Sequence, residues 1–213
     1  MIKKLLAGKI NSITIAALLV ALSSLISRFL GIFRDRILAG EFGAGDTLDV
    51  YYAAFRLPDF IFNMLVLGAL SAGFIPIFSS LIKDKQSDTK ISDLKKKNKE
   101  AWDLASNILN VLALLLIIVS IIFIIFSPYV TKLMVPGFSA SKQAMVTDLT
   151  MIMYLSPIFL GISGVLGGIL QSFKRFFVYS LSPILYNLGI IFGALFLVPI
   201  WGIYGLSWGV VLV

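Results

Sequence analysis

Neither cysteine nor histidine occurs among the 213 residues. Their absence excludes disulfide frameworks, Cys/His metal sites, thiol nucleophiles and histidine acid–base chemistry, so an ordinary hydrolase is not expected and no cofactor or metal is called for. Charge is scarce too: 14% of the residues are charged and 59% hydrophobic, where a soluble domain carries about 25% charged residues. Strict alternation of polar and apolar residues is missing, which argues against the strands of a membrane barrel. What remains abundant is the long apolar run. Eleven of the 29 charges fall in Lys83–Glu100, leaving charge-free runs of 18 (Ile10–Ser27), 23 (Phe60–Ile82), 28 (Leu104–Thr131), 25 (Leu149–Phe173) and 38 residues (Phe176–Val213). A helix needs about 20 apolar residues to cross a bilayer, and only helices or closed barrels satisfy the backbone in lipid.

The expected fold is therefore all-α: one polytopic transmembrane bundle over residues 1–213. The spans are predicted at about Asn11–Ala39, Thr47–Ile82, Ala101–Phe126, Met145–Phe173 and Phe177–Val198, with a sixth beginning near Gly202 and cut short at Val213. The first two exceed the hydrocarbon thickness, so they must tilt, kink or project; Gly31, Pro58 and Pro76 are the predicted bending points. Orientation follows from the basic residues. Lys3, Lys4, Lys9, the seven lysines of a Lys83–Glu100 loop, Lys174 and Arg175 all fall on one side, twelve in total, whereas the connection between spans three and four holds only Lys132 and Lys142. The positive-inside rule places the N-terminus and the 83–100 loop in the cytoplasm. The net charge of +7 is then a matter of topology rather than of nucleic-acid binding.

The informative residues are the charges within the first two spans. At about 100° per residue, Asp35 lies about 20° from Arg28, Ser24 about 40° and Gly31 about 60°, with Arg34 and Arg36 flanking this stripe. In the second span Asp49, Arg56 and Asn63 recur every seven residues beside Tyr52 and Asp59. Charges at membrane depth are costly and by default face one another or a hydrated path. Two readings stay open at this point: the charges simply pair, Arg28 with Asp35 for instance, while the outer arginines snorkel, or they line a cavity for an anionic substrate. Arg28, Arg34, Arg36 and Arg56 favour the second reading, because the planar guanidinium matches phosphate oxygens and stays protonated when poorly hydrated. The glycines Gly161, Gly164, Gly167, Gly168, Gly189, Gly193, Gly205 and Gly209 are expected to serve close helix packing.

Ser27-Arg28-Phe29-Leu30-Gly31-Ile32-Phe33-Arg34-Asp35, Phe42-Gly43-Ala44-Gly45 with Asp49, Ala54-Phe55-Arg56-Leu57-Pro58, and Gly68-Ala69-Leu70-Ser71 with Phe74-Ile75-Pro76 together resemble, in order and spacing, the N-terminal portion of the MurJ (MviN) lipid II flippases. Pro136-Gly137-Phe138, Lys174-Arg175-Phe176 and Ser182-Pro183 with Asn187 fit the same family. The resemblance implies the N-lobe of a MATE-like flippase of the multidrug/oligosaccharidyl-lipid/polysaccharide exporter superfamily, with the C-terminal lobe missing. It further implies a transporter rather than an enzyme. Its place would be the bacterial inner membrane, where it would move lipid II, the undecaprenyl-pyrophosphate-linked peptidoglycan precursor, outward by alternating access. Carried over by motif, Arg28 and Arg34 would hold the headgroup, and Ser27, Asp35 and Asp49 would line or gate the cavity, with Arg56 beside them. Two departures stand out: Phe62-Asn63 occupies the place of an arginine pair found in many members, and Leu67 that of a glutamate. A flippase for another polyprenyl-linked oligosaccharide or a drug/cation antiporter would share the architecture, and a non-transporting scaffold of envelope synthesis would need no cavity charges.

Overall fold

The computed structural model describes residues 13–43, 45–68, 70–83 and 91–212. Lys3, Lys4, Lys9, Lys85 and Lys90, on which part of the orientation argument rests, lie outside the described residues, as does Val213. Every regular element described is helical. In chain order these are α1 (Ile13–Phe42), α2 (Asp46–Ile61), π-helical stretches over Phe62–Leu67 and Leu70–Phe74, α3 (Ile75–Lys83), α4 (Ile91–Met134), α5 (Ala140–Met153), α6 (Ser156–Ser172), α7 (Phe176–Phe192), a π-helical stretch over Gly193–Leu197, α8 (Val198–Trp201) and α9 (Ile203–Val211). Among the described residues four segments are long and apolar enough to cross a membrane: Thr14–Phe42, Lys96–Met134, Ala140–Ser172 and Phe176–Trp201. The predicted second span is present as the broken succession from α2 to α3.

Three details differ from the sequence reading. Of the expected Lys83–Glu100 loop, residues 84–90 are outside the described residues, whereas Ile91–Glu100 forms the first turns of α4. Lysine, leucine and glutamate are good helix formers, so the helix of the third span extends past the edge of its apolar run. At its other end α4 passes through Pro128 to Met134, well beyond Phe126. α1 also runs unbroken through Gly31, because glycine weakens a helix without deleting a hydrogen bond.

Proline does delete one, and the molecule replaces what is lost with hydroxyls. Pro58 cannot donate to the Ala54 carbonyl; the Thr150 hydroxyl, bonded to Val146 O at 2.6 Å, also lies 3.4 Å from Ala54 O. The helix passes into π geometry four residues after Pro58. Pro157 likewise deprives the Met153 carbonyl of its donor at the break between α5 and α6. There Ser156 Oγ donates to Met153 O at 2.8 Å, and Ser120 Oγ of α4 donates to Tyr154 O at 2.8 Å. In lipid no water stands ready for these carbonyls, so serine and threonine mark the places where the spans can break.

Two apolar clusters hold the bundle. One gathers Leu38 of α1, Tyr51 and Ala54 of α2, Leu149 and Met153 of α5, Ile190 of α7 and Leu206 of α9. The other joins Ile61, Val66, Leu70, Phe74 and Phe78 of the second span to Leu112 and Leu116 of α4, Tyr154, and Val165 of α6. Glycines set the closest approaches. A Cβ on Gly164 would meet Leu70 Cδ1 at 2.8 Å, and one on Gly161 would press on Leu116, contacts a flexible side-chain end can relieve. At the crossing of the fifth and sixth spans the obstacle is main chain. A Cβ on Gly193 would stand 2.7 Å from Gly209 Cα, and one on Gly205 2.7 Å from Val198 N and against the Leu197 carbonyl. The turn into α9 needs Gly202 at φ +58°, ψ −145°, a region L side chains avoid. Gly205→Ala is therefore expected to destabilise the protein by about 1–3 kcal/mol, as overpacking does. Gly161→Ala should cost clearly less; thermal unfolding of both variants in detergent checks the order.

Candidate functional site

The site starts on α1. Ser27, Gly31 and Arg34 recur on one side of this helix and face α7, along which α1 mainly packs. A Cβ added to Gly31 would sit 3.6 Å from Asn187 Oδ1, so the absence of a side chain there lets the two helices meet at polar groups. Arg34 Nη1 donates to Asn187 Oδ1 at 3.0 Å, while Arg34 Nη2 and Nε donate to Asp35 Oδ1 at 2.8 and 2.9 Å. Asn187 Nδ2 donates to Ser27 Oγ (3.0 Å), Ser27 O (3.2 Å) and Pro183 O (3.0 Å), and Ser27 Oγ donates to Pro183 O at 3.0 Å. Asn187 is buried, Arg34 partly covered, and Asp35 about half open.

The ion pair is Arg34 with Asp35, rather than the Arg28 with Asp35 that the stripe allowed. Neighbouring residues point about 100° apart on a helix, but the long arginine folds back far enough to reach a single carboxylate oxygen. Three of the five guanidinium N–H groups are thereby engaged, and two stay open among the described residues. Arg28 is exposed and makes no hydrogen bond or ion pair to another described residue, as is also true of Arg36.

A second polar group lies on α2. Asp49, Tyr52 and Arg56 line, with Ala53, Phe55, Val135 and Phe138, a cavity of about 690 Å³ between α2 and the connection from α4 to α5. Asp49 and Arg56 are both exposed. Leu38, one turn after Arg34 on α1, and Tyr51, next to Tyr52 on α2, belong to the same buried cluster, with Tyr186 of α7 packed against it, so the charged residues of α1 and α2 form neighbouring parts of one region. Beside the cavity mouth, Lys142 pairs with Asp46 and lies 5.1 Å from the centre of the Phe138 ring, joining the first turns of α2 and α5.

Of the six residues singled out from sequence, Ser27, Arg34 and Asp35 gather in the network on α7, Asp49 and Arg56 meet at the cavity, and Arg28 stands on the open face of α1. Asn63, in the π-helical stretch Phe62–Leu67, turns its amide back to Asp59 O at 2.8 Å. The side chain of Leu67 is outside the described residues. Sequence reasoning assigned no role to Asn187 or Tyr186. The signal for Asn187 was present: it is the one amide side chain in the 38-residue charge-free run.

The family model for "Lipid II flippase MurJ" matches residues 38–213. A probable lipid II flippase MurJ from Buchnera aphidicola subsp. Schizaphis graminum is 31% identical over 198 residues, covering 91% of this chain and 36% of that protein. The lipid II flippase MurJ of Burkholderia cenocepacia is 28% identical over 201 residues, covering 92% and 37%. A solved structure of lipid II flippase MurJ in an inward closed conformation superposes with a TM-score of 0.69 at 26% identity, covering 92% of this chain and 39% of that one. The chain thus spans little more than a third of the length of the relatives it matches. With its apolar spans, its ordered motifs and this likeness in sequence and fold, the chain is a multi-pass membrane protein that belongs to the MurJ lipid II flippase family, a family of transporters rather than enzymes, and corresponds to the N-terminal part of its members.

Proposed function

We propose that this chain forms one wall of a lipid II flippase, with its N-terminus and the Lys-rich segment Lys83–Glu100, which runs into the first turns of α4, in the cytoplasm, and that Arg34 and Arg28 receive the pyrophosphate headgroup. The observation that carries this reading is the arrangement around Arg34. One guanidinium is fixed by a carboxylate and an amide at membrane depth, keeps two N–H groups open, and neighbours a polar cavity. Asp35 and Asn187 orient it and leave donors for oxygens. Lipid II fits such a site because its pyrophosphate presents several anionic oxygens at the point where a very long apolar tail begins. Arg28, without a partner among the described residues, supplies a second positive charge, and Asp49, Arg56 and Ser27 provide polar walls for the sugar and peptide portions. An antiporter site would hold carboxylates with few arginines, whereas here Asp35, Asp49 and Asp59 stand among Arg28, Arg34 and Arg56.

The test of transport is movement of lipid II to the outer leaflet by the full-length protein in vesicles or flippase-depleted cells, and no movement would refute the proposal. Orientation has its own test. Because the chain has no cysteine, single cysteines report without background. Lys99→Cys and Arg175→Cys should be shielded from a membrane-impermeant thiol reagent in intact cells. Glu41→Cys and Ser139→Cys, at exposed positions, should react. The reverse pattern would invert the topology.

A further inference from the structure

Asn187 is a buried amide in the middle of an apolar helix, and its hydrogen bonds come from both ends of its side chain. A guanidinium can only donate and a backbone carbonyl can only accept. Arg34 Nη1 at 3.0 Å and Ser27 O at 3.2 Å therefore fix which end of the amide is which: Oδ1 must face Arg34 and Nδ2 must face Ser27. The amide also anchors to its own helix, through Pro183 O at 3.0 Å. That carbonyl additionally accepts from Ser27 Oγ, so the two helices are laced at one level by three polar side chains.

We propose that Asn187 is the positioning residue of the headgroup site: it holds the Arg34 guanidinium from the face opposite Asp35 and so fixes where the two open N–H groups point. The proposal rests on the reading of Arg34 as a headgroup ligand for its consequence, though not for its geometry. Asp35 alone would leave Arg34 attached through one oxygen, about which a four-bond side chain can swing. The amide adds a second attachment from another helix, and two attachments define the guanidinium plane. A neutral amide does this without adding a second negative charge to the one Asp35 already brings, which a carboxylate at the same place would do.

Asn187→Leu keeps the number and branching of heavy atoms and removes every hydrogen bond of the amide. Asn187→Asp keeps an acceptor for Arg34 and can accept from Ser27 Oγ, but places a second anion on the guanidinium. Both are compared with the unaltered chain in lipid nanodiscs by arginine side-chain 15N spectroscopy, which reads rotation of the Nη groups. They are then compared by native mass spectrometry with undecaprenyl pyrophosphate as the probe. The expected result is a slow, restrained Arg34 in the unaltered chain and in Asn187→Asp, and a freely rotating Arg34 in Asn187→Leu with other arginines unchanged. Probe affinity should fall about tenfold in Asn187→Leu, the size expected for loss of one charge-assisted interaction. It should fall at least as far in Asn187→Asp, where Arg34 is held but two carboxylates give the cluster a net negative charge that repels the probe. Arg34 signals unchanged by Asn187→Leu, or freed by Asn187→Asp, would overturn the positioning role. An unaltered chain that binds no probe, with Arg34 still freed by Asn187→Leu, would sustain the positioning role and refute the headgroup reading instead.

Discussion

Full-length protein carrying Arg34→Ala is expected to reach normal levels in the membrane and to fail to replace a depleted lipid II flippase. Truncation removes both open N–H donors, and each charge-assisted hydrogen bond to a headgroup oxygen contributes roughly 1.5–3 kcal/mol, about 10- to 100-fold in affinity. Asp35, left without its partner, is about half exposed, so water can take over there; the buried Asn187 Oδ1 loses its donor, a folding cost of about 1–3 kcal/mol that still leaves the protein able to insert. Arg28→Ala makes the cleaner comparison. Arg28 is exposed and has no partner among the described residues, so its removal should leave thermal stability within about 0.5 kcal/mol, as for other surface changes, while still impairing transport. Arg34→Lys should rescue only in part, because an ammonium cannot reach carboxylate and amide in one plane and also present two parallel donors. Growth indistinguishable from the unaltered protein for both alanine variants would remove the arginines from the substrate site.

Residues 1–213 produced alone are expected to insert in the membrane and to move no lipid II. Alternating access requires one bundle to rock against another around a site near the midplane, and the polar residues here occupy one side only: α1 and α7 carry the Arg34 network, α2 the Asp49 and Arg56 wall. Placing such a wall against lipid is unfavourable, at roughly 2.5–3.5 kcal/mol per central charge on insertion scales. A leaflet-accessibility assay for lipid II in vesicles containing only these residues settles it. Robust outward movement would contradict the single-wall reading and point to two copies supplying both walls.

The order of spans could be read directly from the charge-free runs, because nothing but burial in lipid requires 25 or more residues without a charge. Helix ends could not. α4 begins at Ile91 and closes at Met134, since hydropathy reports the depth of the membrane, whereas lysine and glutamate carry a helix beyond it. Pro58 and Pro76 were legible as breaks because each removes a hydrogen bond, but the π-helical turns between them depend on how Val66, Leu70 and Phe74 seat against α6, which is tertiary information. At the site, helical angles placed Arg28, Asp35 and Ser24 together and left Arg34 to one side. The structure instead pairs Arg34 with Asp35 and sends Ser27 and Arg34 to α7, since α7 brings a partner 153 residues away in sequence that no periodicity within α1 contains.

The hydroxyl that Ser120 extends to the Tyr154 carbonyl has a mechanical meaning. A carbonyl capped by its own helix is indifferent to the motion of its neighbours, whereas this one is tethered to α4, and the joint between α5 and α6 can flex only by dragging α4 along or by exchanging one hydroxyl partner for another. Thr150 reaches from α5 to Ala54 of α2, whereas Ser156 closes the joint within span four. Span four is thus two struts whose joint is tied to two neighbouring helices. A methyl in place of the Ser120 hydroxyl would leave both struts intact and let them swing independently of α4.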